Sequence, residues 1–421
     1  MPGRRMLRSL RHRNYRLYYF GQLVSLHGRW MQTIAQSWLV YRMTQSSLML
    51  GFVSFVTLLP MLLFGLIGGV VADRLPRRKL LIAAHALAML QAMVLGVLTL
   101  GGWIQVWQIL VLAFCLGLVQ AFEMPARHSF VPEMVPREDL ANAIALNSSV
   151  FNIARFLGPA LAGWLVALVG EGLVFLLNGV SILAVIGGLS LMRLPAVARP
   201  PIRGSTASHL WEGLRYAWQH KVIRATMMMV GLFSLAGGSY VVLLPVFAKE
   251  VYGGGPETLG MLYGAVGAGA LLGALRLAHR AGSTNTLRGV GPAGLGVGMA
   301  LVVLAAAAWF WLALSVLAVT GFALTTLVAS SNTSIQMRVP DALRGRVMAL
   351  FSVVFLGLAP IGSLAAGGMA HVLGAPAAVG LLGVVCLAGA GAFMLIASQR
   401  VADEHSKPSD AVEYEVQNPN H

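Results

Sequence analysis

The chain has 421 residues, of which 57% are hydrophobic and only 11% charged, against about 25% charged in an ordinary soluble domain. Apolar side chains this abundant exceed what globular cores could bury, which excludes a string of soluble domains and implies a polytopic membrane protein. The formal net charge of +15, from 30 Lys and Arg against 15 Asp and Glu, would point to nucleic acid in a soluble protein, so its placement has to be read first.

In chain order, residues 1–16 are a basic N-terminus, followed by an apolar run over 17–40. That run is too long for a signal-peptide core and lacks a small-residue cleavage site, so it is the first spanning helix. A span needs about 20 mostly apolar residues. Further runs fall at 48–71, 80–100, 106–122, 143–169, 173–192, 225–247, 259–278, 289–308, 310–332, 346–371 and 376–397, twelve in all. Short connections, as around Trp309, make neighbours antiparallel hairpins, and Trp103, Trp107, Trp309 and Trp311 suit a membrane–water interface.

The only long break, 193–224, divides the chain into six-helix halves at 17–192 and 225–397. Pro195, Pro200 and Pro201 open this linker. Leu210, Trp211, Leu214, Ala217 and Trp218 then recur at helical spacing, which predicts an amphipathic helix lying along the interface. Residues 398–421 form a polar tail.

Of the 30 basic residues, 26 fall in the two terminal segments and in alternate loops; Arg42 and Lys249 lie on the opposite side, and Arg29 and Arg155 within spans. The positive-inside rule then places both termini and the linker in the cytoplasm, and it removes nucleic acid as a partner. Shifting 135–163 by 204 positions gives ten identities in 29, among them Val135/Val339, Pro136/Pro340, Gly158/Gly362 and Gly163/Gly367. An offset of six helices preserves orientation, so the halves form a parallel repeat with a site expected where they meet, an architecture of secondary transporters.

Cys115 and Cys386 lie in apolar runs, with no disulfide framework or metal-ligand spacing. There is no Gly-Lys-Ser/Thr phosphate loop and no HExxH, and the glycine string 264–269 lies within a span, where it is a packing surface, as are the Gly65/Gly69 and Gly269/Gly273 pairs. No enzyme, metal or cofactor is expected.

The segment Gly69-Val70-Val71-Ala72-Asp73-Arg74-Leu75-Pro76-Arg77-Arg78-Lys79 resembles the signature loop of the major facilitator superfamily, with Pro76 where that pattern has glycine. The resemblance implies twelve helices in two pseudo-symmetric halves. It also implies a cytoplasmic gate in which Asp73, flanked by Arg74 and Arg78, docks at the N-terminal end of the eleventh helix when the transporter faces outward. Glu123 with Arg127 looks like the family's second charge cluster, and Asp341 with Arg344 and Arg346 occupies the repeat-related position. The segment 152–163, with Gly158, Pro159 and Gly163 as packing residues, resembles part of the fifth-helix motif of exporters. With the stretch from Pro125 to Asn147, it points to the branch of the enterobactin exporter and the macrolide efflux pumps.

The spanning arginines are the most informative residues. Each lies about twelve residues into its span, about 18 Å deep, at a cost of about 2.5–3.5 kcal/mol or more unless it faces water or the bundle interior. No acid is expected at that depth, which leaves carbonyls, polar side chains, water or an anionic ligand as partners. Ser25, Arg29, Gln32 and Gln36 share one helical face with Gln22, and Ser148, Asn152 and Arg155 share another; cavity lining and inter-helix hydrogen bonding are the competing readings.

The expectation is a monomeric multi-pass exporter of a siderophore, drug or other amphipathic small molecule in the bacterial inner membrane. It would be driven by a proton gradient, with Glu123 and Asp73 as proton-carrier candidates. An importer on the same fold and a non-transporting membrane sensor are the alternatives.

Overall fold

The computed structural model describes residues 7–193, 206–279 and 286–406. Arg4, Arg5, the three linker prolines and the tail beyond 406 lie outside the described residues. The described residues are helical with no strand, and ten segments are long and apolar enough to cross a membrane.

The first half contains α1 (Arg13–Thr44), α2 (Ser47–Arg74), α3 (Arg77–Leu100), α4 (Val106–Phe130) and α5 (Arg137–Ser190). The helix α1 is absent from the ten apolar segments because its polar stripe and arginines lower its hydropathy, although 32 residues reach about 48 Å. Ser46 caps α2 by accepting from the Met49 N–H, and Gln105 and Gln108 form a reciprocal capping box at the start of α4.

With 54 residues, α5 is far longer than the roughly 30 Å hydrocarbon layer requires. It breaks at Gly170, whose φ of 78° and ψ of 166° suit glycine alone. Its partner under the 204-residue offset, Gly374, has φ 83° and ψ 153° and ends another helix. The repeat therefore extends to backbone geometry beyond the window where the side chains match.

After the linker helix α6 (Thr206–Gln219) come α7 (Lys221–Leu232), α8 (Pro256–His279), α9 (Val290–Ala306), α10 (Phe310–Arg338), α11 (Asp341–Gly357), α12 (Ala359–Leu373) and α13 (Ala375–Ser406). Two expected spans differ from a plain helix. The one expected at 225–247 is α only to Leu232. It then passes through a π segment at Phe233–Gly237, a 3-10 segment at Ser239–Leu243 and a second π segment at Phe247–Val251. Gly237-Gly238 and Pro245 weaken the regular ladder there. The span expected at 346–371 is divided at Leu358, because Pro360 starts a new helix.

Close helix contacts rest on small residues. A Cβ at Gly163 would lie 2.5 Å from the Pro256 carbonyl oxygen, and one at Gly260 2.6 Å from that of Pro159, which joins α5 to α8. At Gly367 it would lie 2.6 Å from the Ser47 oxygen, and at Gly51 2.6 Å from that of Ser363, which joins α12 to α2. Both junctions connect the two halves. They lie at the end remote from the N-terminus and linker, so the basic end and the opposite end of the bundle differ.

Gly158 packs on Trp30 of α1, with a Cβ 2.7 Å from that of Trp30. Gly69, expected as a packing residue, faces open space, and a Cβ at its pair partner Gly65 would meet only Met61 of the same helix, at 4.0 Å. Their neighbour Gly68 instead meets the Ala121 carbonyl of α4. One residue is about 100° of helical rotation, enough to move a glycine from the packed face to the free one.

Candidate functional site

A cavity of about 600 Å³ lies between the halves. The wall from the first half carries the stripe of α1, namely Ser25, Arg29, Gln32 and Gln36, together with Gln120, Glu123 and Arg127 of α4 and Arg155 of α5. From the second half come Phe233, Tyr240, Tyr263, Leu324, Phe355 and Ser363. The irregular segment after α7 supplies Ser234 and the stretch from Gly238 to Val242. Non-helical backbone at membrane depth is tolerated where it borders a cavity, which accounts for that segment's position.

Arg29 has an acid after all. Its Nη2 lies 3.1 Å from Glu123 Oε2, and Arg127 Nη1 lies 3.6 Å from Glu123 Oε1. The expectation that no carboxylate reaches this depth fails because α4 does not stop at 122 but runs on to Phe130, so Glu123 lies inside the helix with its side chain 3% exposed. Helical side chains lean toward their own N-terminus. On antiparallel α1 and α4, that tilt carries the guanidinium toward the basic end and the carboxylate away from it, so the two meet.

Gln32 combines both roles weighed for the stripe. Asn178 Nδ2 donates to Gln32 Oε1 at 2.5 Å, and Gln32 Nε2 donates to Gln91 Oε1 at 2.9 Å. This amide chain ties α1 to α5 and α3 while one edge of Gln32 faces the cavity. Asn152 stays outside the lining and donates to the Ser148 carbonyl oxygen at 2.9 Å, a local bond one turn back.

Arg155 has no ion pair and makes no side-chain hydrogen bond among the described residues, and Tyr240 is the titratable group that interacts with it electrostatically. The Tyr240 hydroxyl is buried without a hydrogen-bond partner. Three other hydroxyls of that wall are committed. Tyr263 donates to Val241 O at 3.0 Å, Ser234 to Phe355 O at 2.6 Å and Ser239 to Leu235 O at 2.7 Å.

At the basic end the expected gate residues pair within a half or with the linker. Asp73 meets Arg77 at 3.3 Å, and Arg77 also reaches Glu133 at 2.7 Å. Arg78 donates to the Ser190 carbonyl at 2.6 Å, and Arg344 holds Asp341 at 2.5 Å. Arg346 pairs with Glu212 of α6. Arg74 ends α2 beside Asp73. No ion pair between described residues joins the halves here, and Asp73 is bound to its own side of the loop rather than to the start of α11.

At the opposite end the Tyr41 hydroxyl donates to the Glu250 carboxylate across the halves. Arg42 grips Glu171 with bonds of 2.8 and 3.3 Å. The Arg42–Glu171 pair stays within the first half, so the glycine junctions and the Tyr41–Glu250 bond seal that end, while the cavity wall continues past Met124 and Arg127 toward the basic end.

Sequence reasoning missed Tyr240 and Tyr263. The available signal was the interruption of an apolar run by Gly237-Gly238-Ser239, a mark of a broken helix beside a binding site.

The sequence matches the family described as transmembrane secretion effector over residues 5–419. The multidrug efflux pump Tap of Mycolicibacterium fortuitum is 27% identical over 404 residues, 93% of this chain and 98% of that pump. The staphyloferrin A transporter of Staphylococcus aureus is 25% identical over 382 residues, 88% of this chain and 94% of that transporter. Among solved structures, a bacterial homologue of the human lysosomal transporter Spinster, inward-facing and occupied, aligns with a TM-score of 0.71 at 14% identity. That alignment covers 92% of this chain and 97% of the other, a likeness of fold.

Proposed function

Because this chain belongs to the transmembrane secretion effector family of major facilitator transporters, we propose that it exports an amphipathic small molecule across the bacterial plasma membrane by alternating access. The observation that carries this is the cavity of about 600 Å³ between the halves, sealed at one end by paired glycine contacts and continuing toward the other. Efflux relatives support the outward direction.

In this proposal the chain crosses the membrane twelve times. Helix α1 is one crossing, and α5 contributes two, one on each side of Gly170. The basic end and both termini face the cytoplasm, as the distribution of Lys and Arg requires. The conformation is then inward-open. Substrate enters from the cytoplasm and rests against the α1 stripe and Arg155, and the halves rock to open the sealed end. Gate pairing by Asp73, Arg74, Arg78, Asp341, Arg344 and Arg346 belongs to the opposite, outward-open state, which is why these residues are found with local partners here.

The energy source is a proton gradient, with Glu123, which lines the cavity, and Asp73 as the proton-carrier candidates. Everted vesicles from cells producing the chain test this directly. They are expected to accumulate a xanthene dye, either fluorescein or rhodamine 123, when respiration is on, and to release it with a protonophore. If neither dye shows protonophore-sensitive accumulation above vector controls, proton-driven export is wrong.

A further inference from the structure

The cavity is lopsided in charge, with three arginines against one glutamate among its lining residues. Glu123 lies between Arg29 and Arg127, so the cation without a carboxylate is Arg155. It sits on α5 where that helix packs against α8, and a Cβ at Gly267 would lie 2.5 Å from the Arg155 carbonyl oxygen. The guanidinium is therefore held at the junction of the halves. Opposite it, on the other half, is Tyr240, completely buried and with an unpartnered hydroxyl. An arginine is donor-only, and a phenol hydroxyl with no acceptor has a donor to offer. The neighbouring Ser234, Ser239 and Tyr263 have already given their hydrogens to backbone carbonyls.

A half-buried guanidinium with no ion pair and a buried hydroxyl with no hydrogen-bond partner make a site rich in donors, so what completes it is an acceptor that also supplies negative charge. Resting on the export reading, we infer that Arg155 and Tyr240 together receive an anionic oxygen group, a carboxylate or its equivalent, carried by the exported molecule. One partner comes from each half, so the bound anion links them. Arg29, already neutralised by Glu123, has no such role. The rest of the substrate lies along Phe233, Leu324 and Phe355, an apolar wall that fits a hydrophobic body behind the acidic head.

The test uses two dyes with a shared ring system, anionic fluorescein and cationic rhodamine 123, in energised everted vesicles carrying the full chain. Fluorescein is expected to accumulate. Arg155→Gln is expected to lower that accumulation about tenfold or more, and Tyr240→Phe by a smaller factor, because the phenol supplies one donor and no charge whereas the guanidinium supplies several donors and the positive charge. Arg155→Lys, which keeps the charge, is expected to retain more transport than Arg155→Gln. A single symmetric peak on size-exclusion chromatography separates a lost site from a lost fold. For a variant that loses its peak, fluorescein competition measured on Arg155→Lys against wild type takes its place, and unchanged competition there overturns the anion site. Normal fluorescein transport by folded Arg155→Gln would mean that water alone solvates Arg155, and would also overturn it. Accumulation of rhodamine 123 but not fluorescein by wild type keeps the exporter and overturns the anion site, whereas accumulation of neither removes both.

Discussion

The two halves share a backbone plan but not a cavity surface. Gly163 and Gly367, related by the 204-residue offset, each press their helix against the other half, one on Gly260 and the other on Gly51. Gly170 and Gly374 turn the chain at equivalent places. The cavity walls diverge, since every charged lining residue, Arg29, Glu123, Arg127 and Arg155, belongs to the first half. The second half contributes aromatic rings, small hydroxyl residues and a disrupted helix. The repeat is thus preserved at the junctions of the halves and lost along the cavity wall. In the proposed mechanism, rocking needs matched contact surfaces, whereas recognition needs only one charged wall and one apolar wall.

Six substitutions probe this contrast, beginning with the charged wall. Glu123→Ala strands two guanidinium groups. Removing one partner of a buried pair costs about 3–5 kcal/mol, so it should lower the thermal midpoint of the detergent-purified chain the most, with Arg29→Ala less damaging. Equal midpoints for wild type and Glu123→Ala would show that Glu123 is not the counter-ion.

The shared plan is tested at the seal. Gly163→Val and Gly367→Val each put side-chain atoms where backbone now sits, an overpacking cost of about 1–3 kcal/mol. Both should widen the opposite end by similar amounts in spin-label distance measurements. A change for only one of them would mean that the seal is not symmetric.

Tyr41→Phe removes the hydrogen bond to the Glu250 carboxylate, worth about 1.5 kcal/mol at the low end for a charged acceptor. It is expected to shift the same distances in the same direction but by less.

The smallest effect belongs to Asp73→Asn. Its pair with Arg77 is surface-exposed, worth at most about 1 kcal/mol, so the midpoint should barely move. Transport should slow nonetheless if Asp73 docks on α11 in the outward-open state, and unchanged transport would remove Asp73 from the gate.

Much of this site was legible along single helices. The α1 stripe follows from spacings of three and four residues, and Ser25, Arg29, Gln32 and Gln36 do share the cavity. Asn152 has the same spacing relation to Arg155 yet bonds to its own helix, because a shared face does not say what lies opposite. Glu123 was misplaced by a helix end drawn eight residues early, since a charge in an apolar run reads as the edge of the membrane when its partner on another helix is unseen.

The sequence by itself determined the membrane class, the clustering of Lys and Arg and the 204-residue repeat. These depend on hydropathy, charge and periodicity, which are local or additive along the chain. Only the tertiary structure decided that Arg29 is neutralised while Arg155 is not, and that Gly68 rather than Gly69 is the contact. The Arg29–Glu123 bond joins residues 94 positions apart, and such a pairing is fixed by helix rotation, tilt and length together. An error of one residue turns a side chain by about 100°, from cavity to lipid, so the ligand-facing chemistry emerges only when the helices are assembled.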